Sequence, residues 1–95
     1  MSELNGEKIE ELLWDAGCEV THDGGLTEVS PITVHIGENR VIISEAWFED
    51  GYWFADSDSV FLELFAFDEK VDEDLDICDT EEELVEHILR LGGES

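Results

Sequence analysis

Asp72, Asp74, Asp76 and Glu83 stand at positions 1, 3, 5 and 12 of a calcium-binding loop, the spacing at which a hard cation collects oxygen ligands. Two features oppose that chemistry. The sixth position, where glycine makes the sharp turn, is Ile77, and Thr80 reads as a helix N-cap, so Glu83 falls inside a helix that begins too early for the loop. Loose attraction of divalent ions is ordinary for any acidic cluster, and no metal site is expected. Catalytic arrangements fare no better. His22, His35 and His87 fall in separate elements, and no Ser, Cys or His has the local context of a nucleophile motif. With so many acids, any one carboxylate pair chosen as general acid and base is uninformative. The Gly-Gly pairs at 24–25 and 92–93 read as a turn and a helix stop, not as a phosphate loop. Cys18 and Cys78 lie far apart with no CxxC, which argues against zinc and for a reduced pair in a cytoplasmic protein, although neighbouring strands could bring them together. The expectation is therefore a non-enzyme with no catalytic residue, no metal and no cofactor.

What remains is charge. Asp and Glu number 27 against 4 Lys and Arg, a formal net charge of -23. Self-repulsion of that size opposes the compact state, so such a chain either lives where salt screens it or needs its field for a partner. Direct binding to nucleic acid or to an anionic membrane is disfavoured on sign. The first 44 residues hold nine acids and the remaining 51 hold eighteen, which tilts the charge toward the C-terminal half. The candidate partner surface comprises Glu45, Glu49, Asp50, Asp56, Asp58, Glu63, Asp68, Glu69, Asp72, Glu73, Asp74, Asp76 and Asp79, extended by Glu82 and Glu86 on the last helix. Between 45 and 86 the only Lys or Arg is Lys70.

The elements that position these acids are readable in part. At 95 residues, with 42% hydrophobic residues and nine aromatics, the chain should fold as one domain, 1–95. Nothing at the N-terminus has the basic and apolar regions of a signal peptide, and no run is long enough to span a bilayer. Asn5 can cap a first helix, with Leu4 and Ile9 as a hydrophobic staple, Ile9, Leu12, Leu13 and Ala16 as its buried face, Trp14 at its edge and Gly17 as its stop. CEVTH at 18–22 begins a strand, DGG at 23–25 turns the chain, and Pro31 permits a strand start. ITVHI at 32–36 alternates and pairs through GEN with the segment RVIISEAWFE, His35 being a surface or sheet-edge residue. Asp50-Gly51 carries the type I′ residue pair, so a two-residue loop sets Glu49 opposite Tyr52, Phe48 opposite Trp53 and Trp47 opposite Phe54. VFLELFAF at 60–67 reads as a strand, 68–76 as a solvated acidic loop, and LDIC as a brief strand. The last helix has a capping box of Thr80 and Glu83, three acids in its first turn where the helix dipole favours them, a stripe of Leu84, Val85, Ile88 and Leu91, and Gly92 beyond. The fold class is α+β, a small antiparallel sheet of four to five strands flanked by the N-terminal and C-terminal helices.

A strand places alternate side chains about 6.6 Å apart and a helix places i and i+4 neighbours about 6 Å apart, so carboxylates on both can imitate two rows of phosphates. In composition, size and mixed layout the chain resembles phage-encoded DNA-mimic inhibitors: anti-restriction proteins, anti-CRISPR proteins and inhibitors of uracil-DNA glycosylase. That resemblance implies a stoichiometric blocker in the host cytoplasm that fills the Lys and Arg groove of a basic nucleic-acid-binding protein. Steering would be electrostatic, and retention would come from contacts that phosphate cannot make, with Trp47, Tyr52 and Trp53 as candidate anchors. Two alternatives use the same charge. One is the acidic coat of a protein from a salt-loving organism, and the other is an immunity protein that neutralises a basic toxin nuclease.

Overall fold

The computed structural model describes residues 3–22, 32–44, 46–49 and 51–93. The expected turn at 23–25 and Pro31 lie outside those residues, as do Glu45 and Asp50.

Two caps set where the helices begin. Asn5 Oδ1 accepts from the backbone N–H groups of Glu7, at 2.9 Å, and Lys8, at 3.4 Å, which starts α1 (Gly6–Asp15). Thr80 Oγ1 accepts from the N–H of Glu83 at 3.2 Å and starts α2 (Glu81–Gly93). The return half of that box goes one residue further back than expected, from the Asp79 N–H to Glu83 Oε2 at 3.0 Å. Glu81 reaches across to the other helix, where its Oε2 accepts from the N–H of Asn5 at 3.1 Å. One acid in the first turn of α2 thus also serves the N-terminus of α1.

Among the described residues eight strands form two antiparallel sheets. The larger, in the order β2 (Glu19–His22), β3 (Ile32–Ile36), β4 (Asn39–Ile43), β7 (Val60–Ala66), β8 (Glu69–Asp76), matches the expected four to five strands in size, with β8 in it and the hairpin around Asp50-Gly51 outside it. The smaller, in the order β1 (Glu3–Asn5), β6 (Tyr52–Asp56), β5 (Trp47–Glu49), was not anticipated. It arises because the apolar run from 39 to 49 is two strands and not one: the chain leaves the large sheet after Ile43 and enters the small one at Trp47. The hairpin pairing around Asp50-Gly51 has the expected register, with Gly51 at φ 87°.

The core lies between the inner face of the large sheet, the two helices and one face of the small sheet. Ile32, Val34, Val41, Ile43, Leu62 and Leu64 face Ile9, Leu13, Leu84 and Ile88. Helix α1 packs on β6, β2 and α2, while α2 packs on β3, β4 and β7. Ala16 is exposed, because the helix ends there and the chain turns away through Gly17 at φ 87°. Gly92 and Gly93 are the last turn of α2 and not a stop beyond it. At Gly92 the small size has a packing reason, since a Cβ there would run into the side chain of Ile36 and press on Val41, whereas a Cβ on Gly93 would meet open space. His35 sits on an inner strand, half-buried, with its Nε2 3.1 Å from Thr21 Oγ1, not at a sheet edge.

The largest departure concerns residues 68–76. They are not a loop but β8, paired with β7 from Val60↔Asp76 to Ala66↔Glu69 and reached through a turn at Phe67 and Asp68. Nearly every β8 side chain is exposed on both faces, so the apolar alternation that marks a strand is missing and backbone pairing is what chiefly holds the segment extended.

Candidate functional site: an acidic edge strand

In the β7–β8 ladder Leu62 stands opposite Asp74, Leu64 opposite Asp72 and Val60 opposite Asp76. Directly paired residues share a face, so these three aspartates project from the same side of the sheet as the core. Helix α2 covers β3, β4 and β7 and stops short of sealing β8, which leaves a cleft of about 370 Å3 lined by Asp72, Glu73, Asp74, Asp76, His87, Arg90 and Leu91. Sequence reasoning passed over His87 and Arg90 as site residues. Their spacing with Glu83 and Glu86 on one helix was the available signal, but it needs the partner strand to give it meaning.

The electrostatics of the cleft are those of crowded like charges. The Asp76 carboxyl beside Asp74, favouring a shared proton, together with partial burial and repulsion, raises the Asp74 pKa above the usual carboxylate value. Asp76 Oδ2 is 3.3 Å from His87 Nδ1, is itself shielded from solvent, and has no hydrogen-bond partner among the described residues. Donor atoms of Asp74, Asp76 and His87 lie within 4.8 Å of one another, a set of two carboxylates and one imidazole that suits a divalent cation. This differs from the calcium-loop reading, which fails because Asp72, Asp74 and Asp76 are on a regular strand and Glu83 caps a helix. Just beyond the cleft, burial first, then the charges of Asp76, Glu83, Asp74 and Asp79, push the Cys78 thiol up to about 11. Cys18 and Cys78 are both free and buried.

All four basic side chains are already engaged. Lys8 meets Glu82 at 3.0 Å and Glu81 at 3.7 Å, Arg40 meets Asp68 at 3.6 Å, Lys70 meets Glu73 at 2.9 Å and Glu63 at 3.0 Å, and Arg90 meets Glu86 at 2.9 Å. Five of the expected surface acids, Glu63, Asp68, Glu73, Glu82 and Glu86, therefore carry a local cation. The hydrogen bonds that Lys70 donates to Glu73 and then Glu63 hold its pKa above the ordinary value, which keeps that charge fixed. Asp72, Asp74 and Asp79 have no Lys or Arg within 4 Å among the described residues. Asp56 and Asp58 come to the same end of the molecule as Asp79, because the Cys78 N–H donates to the Ser57 carbonyl at 2.9 Å. Glu69 begins β8 beside the turn, and Glu49 stands opposite Tyr52 in the separate small sheet.

The expected aromatic anchors divide. Trp53 is only 2% exposed: it packs over Gly6, where a Cβ would collide with its ring and carbonyl, and its Nε1 donates to Glu10 Oε1 at 2.8 Å. It is a core residue, because α1 docks on its face of the hairpin. Trp47 is half-buried and stacks on Phe54, with ring centroids 6.2 Å apart. Tyr52 is 52% exposed and remains free for contact. The sequence reading missed the more exposed apolar groups around β8. Phe67 is 73% exposed at φ 59°, and with Val71, Leu64, Ala66 and Asp72 it borders a second hollow of about 410 Å3. A phenylalanine in the left-handed region of a turn is rare, so no sequence rule points to it.

No protein-family model, curated protein or solved structure matches the chain. The functional reading therefore stands on the geometry of this surface.

Proposed function

We propose that the protein is a stoichiometric inhibitor that presents its acidic edge as a DNA mimic to the Lys- and Arg-rich groove of a nucleic-acid-binding enzyme. One observation carries this reading. Asp72, Asp74 and Asp76 recur at every second residue of a strand, at about 6.6 Å, on a rigid ladder, and the four basic side chains of the chain are engaged by other acids or at the rim of the cleft. A row of that kind is costly to the fold, since it sets like charges side by side on one strand face. It is useful only when cations arrive from outside. Asp79, Asp56 and Asp58 continue the row at one end, and Phe67 and Val71 supply apolar contact at the other, in place of the buried Trp53.

The test is affinity capture from a host lysate, followed by competition with duplex DNA. The expected result is a nucleic-acid enzyme displaced by DNA, with binding that weakens as salt rises. A captured partner that DNA fails to displace overturns the reading.

A second reading, the salt-adapted coat, is favoured by the exposed acids on other faces: Glu3, Glu7, Glu11, Asp15, Glu19 and Glu38. Unfolding as salt falls to about 0.1 M would support it against the inhibitor.

A further inference from the structure

The large sheet ends at β8 among the described residues, so alternate N–H and C=O groups of that strand point away from β7 with no strand beside them. The ladder has an irregularity between Leu64 and Phe65, which leaves Val71 as the extra residue on β8 and limits the regular edge to Asp72–Asp76, where an incoming strand must displace Asp72 Oδ1 from the Glu73 N–H that it accepts from at 2.8 Å. The two faces of that edge differ. Asp72, Asp74 and Asp76 project inward, while outward are Glu73, already held by Lys70, and Leu75, 64% exposed opposite Phe61, with exposed Ile77 following.

We propose that Asp72–Asp76 recognises an extended segment of a partner protein by strand addition, a segment with Lys or Arg at alternate positions and apolar residues between. The inference rests on the reading above only in taking the partner to be a basic protein. Pairing places the alternate basic residues beside the three aspartates and the apolar ones beside Leu75 and Glu73. A second copy of the chain is the wrong occupant. Antiparallel self-pairing centred on Asp74 sets Asp72 against Asp76 and Asp74 against itself, and in-register parallel pairing sets each aspartate against its twin. The acidic edge therefore repels its own kind, the usual protection of an edge strand, while admitting a strand of opposite charge. Main-chain bonds supply affinity and the alternating pattern supplies selection.

The probe is a nine-residue end-blocked peptide of alternating Lys and Val, compared with the same peptide N-methylated at every backbone nitrogen, which keeps the charge and side chains but cannot donate. At equal salt the parent should bind at least about tenfold more tightly and should slow amide hydrogen exchange within residues 72–76. Equal affinity of the two peptides, or slowed exchange only elsewhere, overturns strand addition and leaves the acidic-surface reading standing. Failure of both peptides to bind overturns both.

Discussion

Trp53 Nε1 donates to Glu10 Oε1 at 2.8 Å, and through that bond the small sheet is tied to the first helix. The indole ring also rests on Gly6, so the helix start and the hairpin fit together only with no side chain at that glycine. Trp53→Phe, which loses the bond to a carboxylate, should cost about 1.5 to 3 kcal/mol. Gly6→Ala should cost about 1 to 3 kcal/mol by overpacking. Urea unfolding followed by fluorescence measures both, and a neutral Gly6→Ala would show that the ring is free to move.

Charge reversal of Asp72, Asp74 and Asp76 to Lys should abolish partner binding while leaving the fold intact, because Asp72 and Asp74 are exposed and Asp76, though half-buried against His87, is not part of the apolar core. Circular dichroism reports the fold and a binding titration the affinity. Reversal of Glu7, Glu11 and Asp15 on α1 serves as the control and should change affinity far less. Equal losses from the two triple variants would mean that net charge, not this edge, attracts the partner.

Asp74 has a raised pKa because its carboxyl is held by Asp76, so ionising it opposes folding. For a raised acid the folded state binds the proton more tightly than the unfolded one. Its favourable contribution is present below the ordinary value of 3.8 and is lost as pH climbs through the higher folded value. Asp74→Asn should therefore raise Tm at about pH 7 and change it little at about pH 4. A fall in Tm at neutral pH would show that the ionised group is favourably solvated.

Cys78 is fully buried with a thiol pushed up to about 11 from 9.0. At neutral pH its thiolate population should be lower than that of a free cysteine by ~100-fold. Alkylation of the native protein should be correspondingly slow and should accelerate with denaturant. Because the folded pKa is the higher one, the contribution to stability falls as pH rises from 9.0 toward about 11. Rapid native labelling would indicate that the segment joining β8 to α2 opens readily.

Thr80→Ala removes the acceptor for the Glu83 N–H and should cost about 1 kcal/mol. Thermal melts of the variant give the number. A larger loss would show that the cap also holds the cleft end of β8 in place.

Local chemistry was legible wherever it acts within a few residues. Asn5 and Thr80 announce helix starts, and Asp50-Gly51 announces a hairpin whose register then follows from period-two alternation. The stripe Leu84, Val85, Ile88, Leu91 announces the buried face of α2. Each of these depends on backbone groups and side chains that meet along a short length of chain, so the amino-acid order alone carries them.

Pairing and docking between elements decided the rest. Alternation puts Trp53 and Trp47 on opposite sides of the hairpin, but the docking of α1 over Gly6 chose which of them is buried. The run 39–49 divides between two sheets because each half has a different neighbour, β7 for one and β6 for the other. Above all, 69–76 has an acidic pattern that reads as solvated loop and is nonetheless a strand. Its extended form comes from hydrogen bonds to β7, and those bonds are indifferent to side-chain type. The three aspartates form a row because the preceding, apolar strand β7 holds their backbone straight.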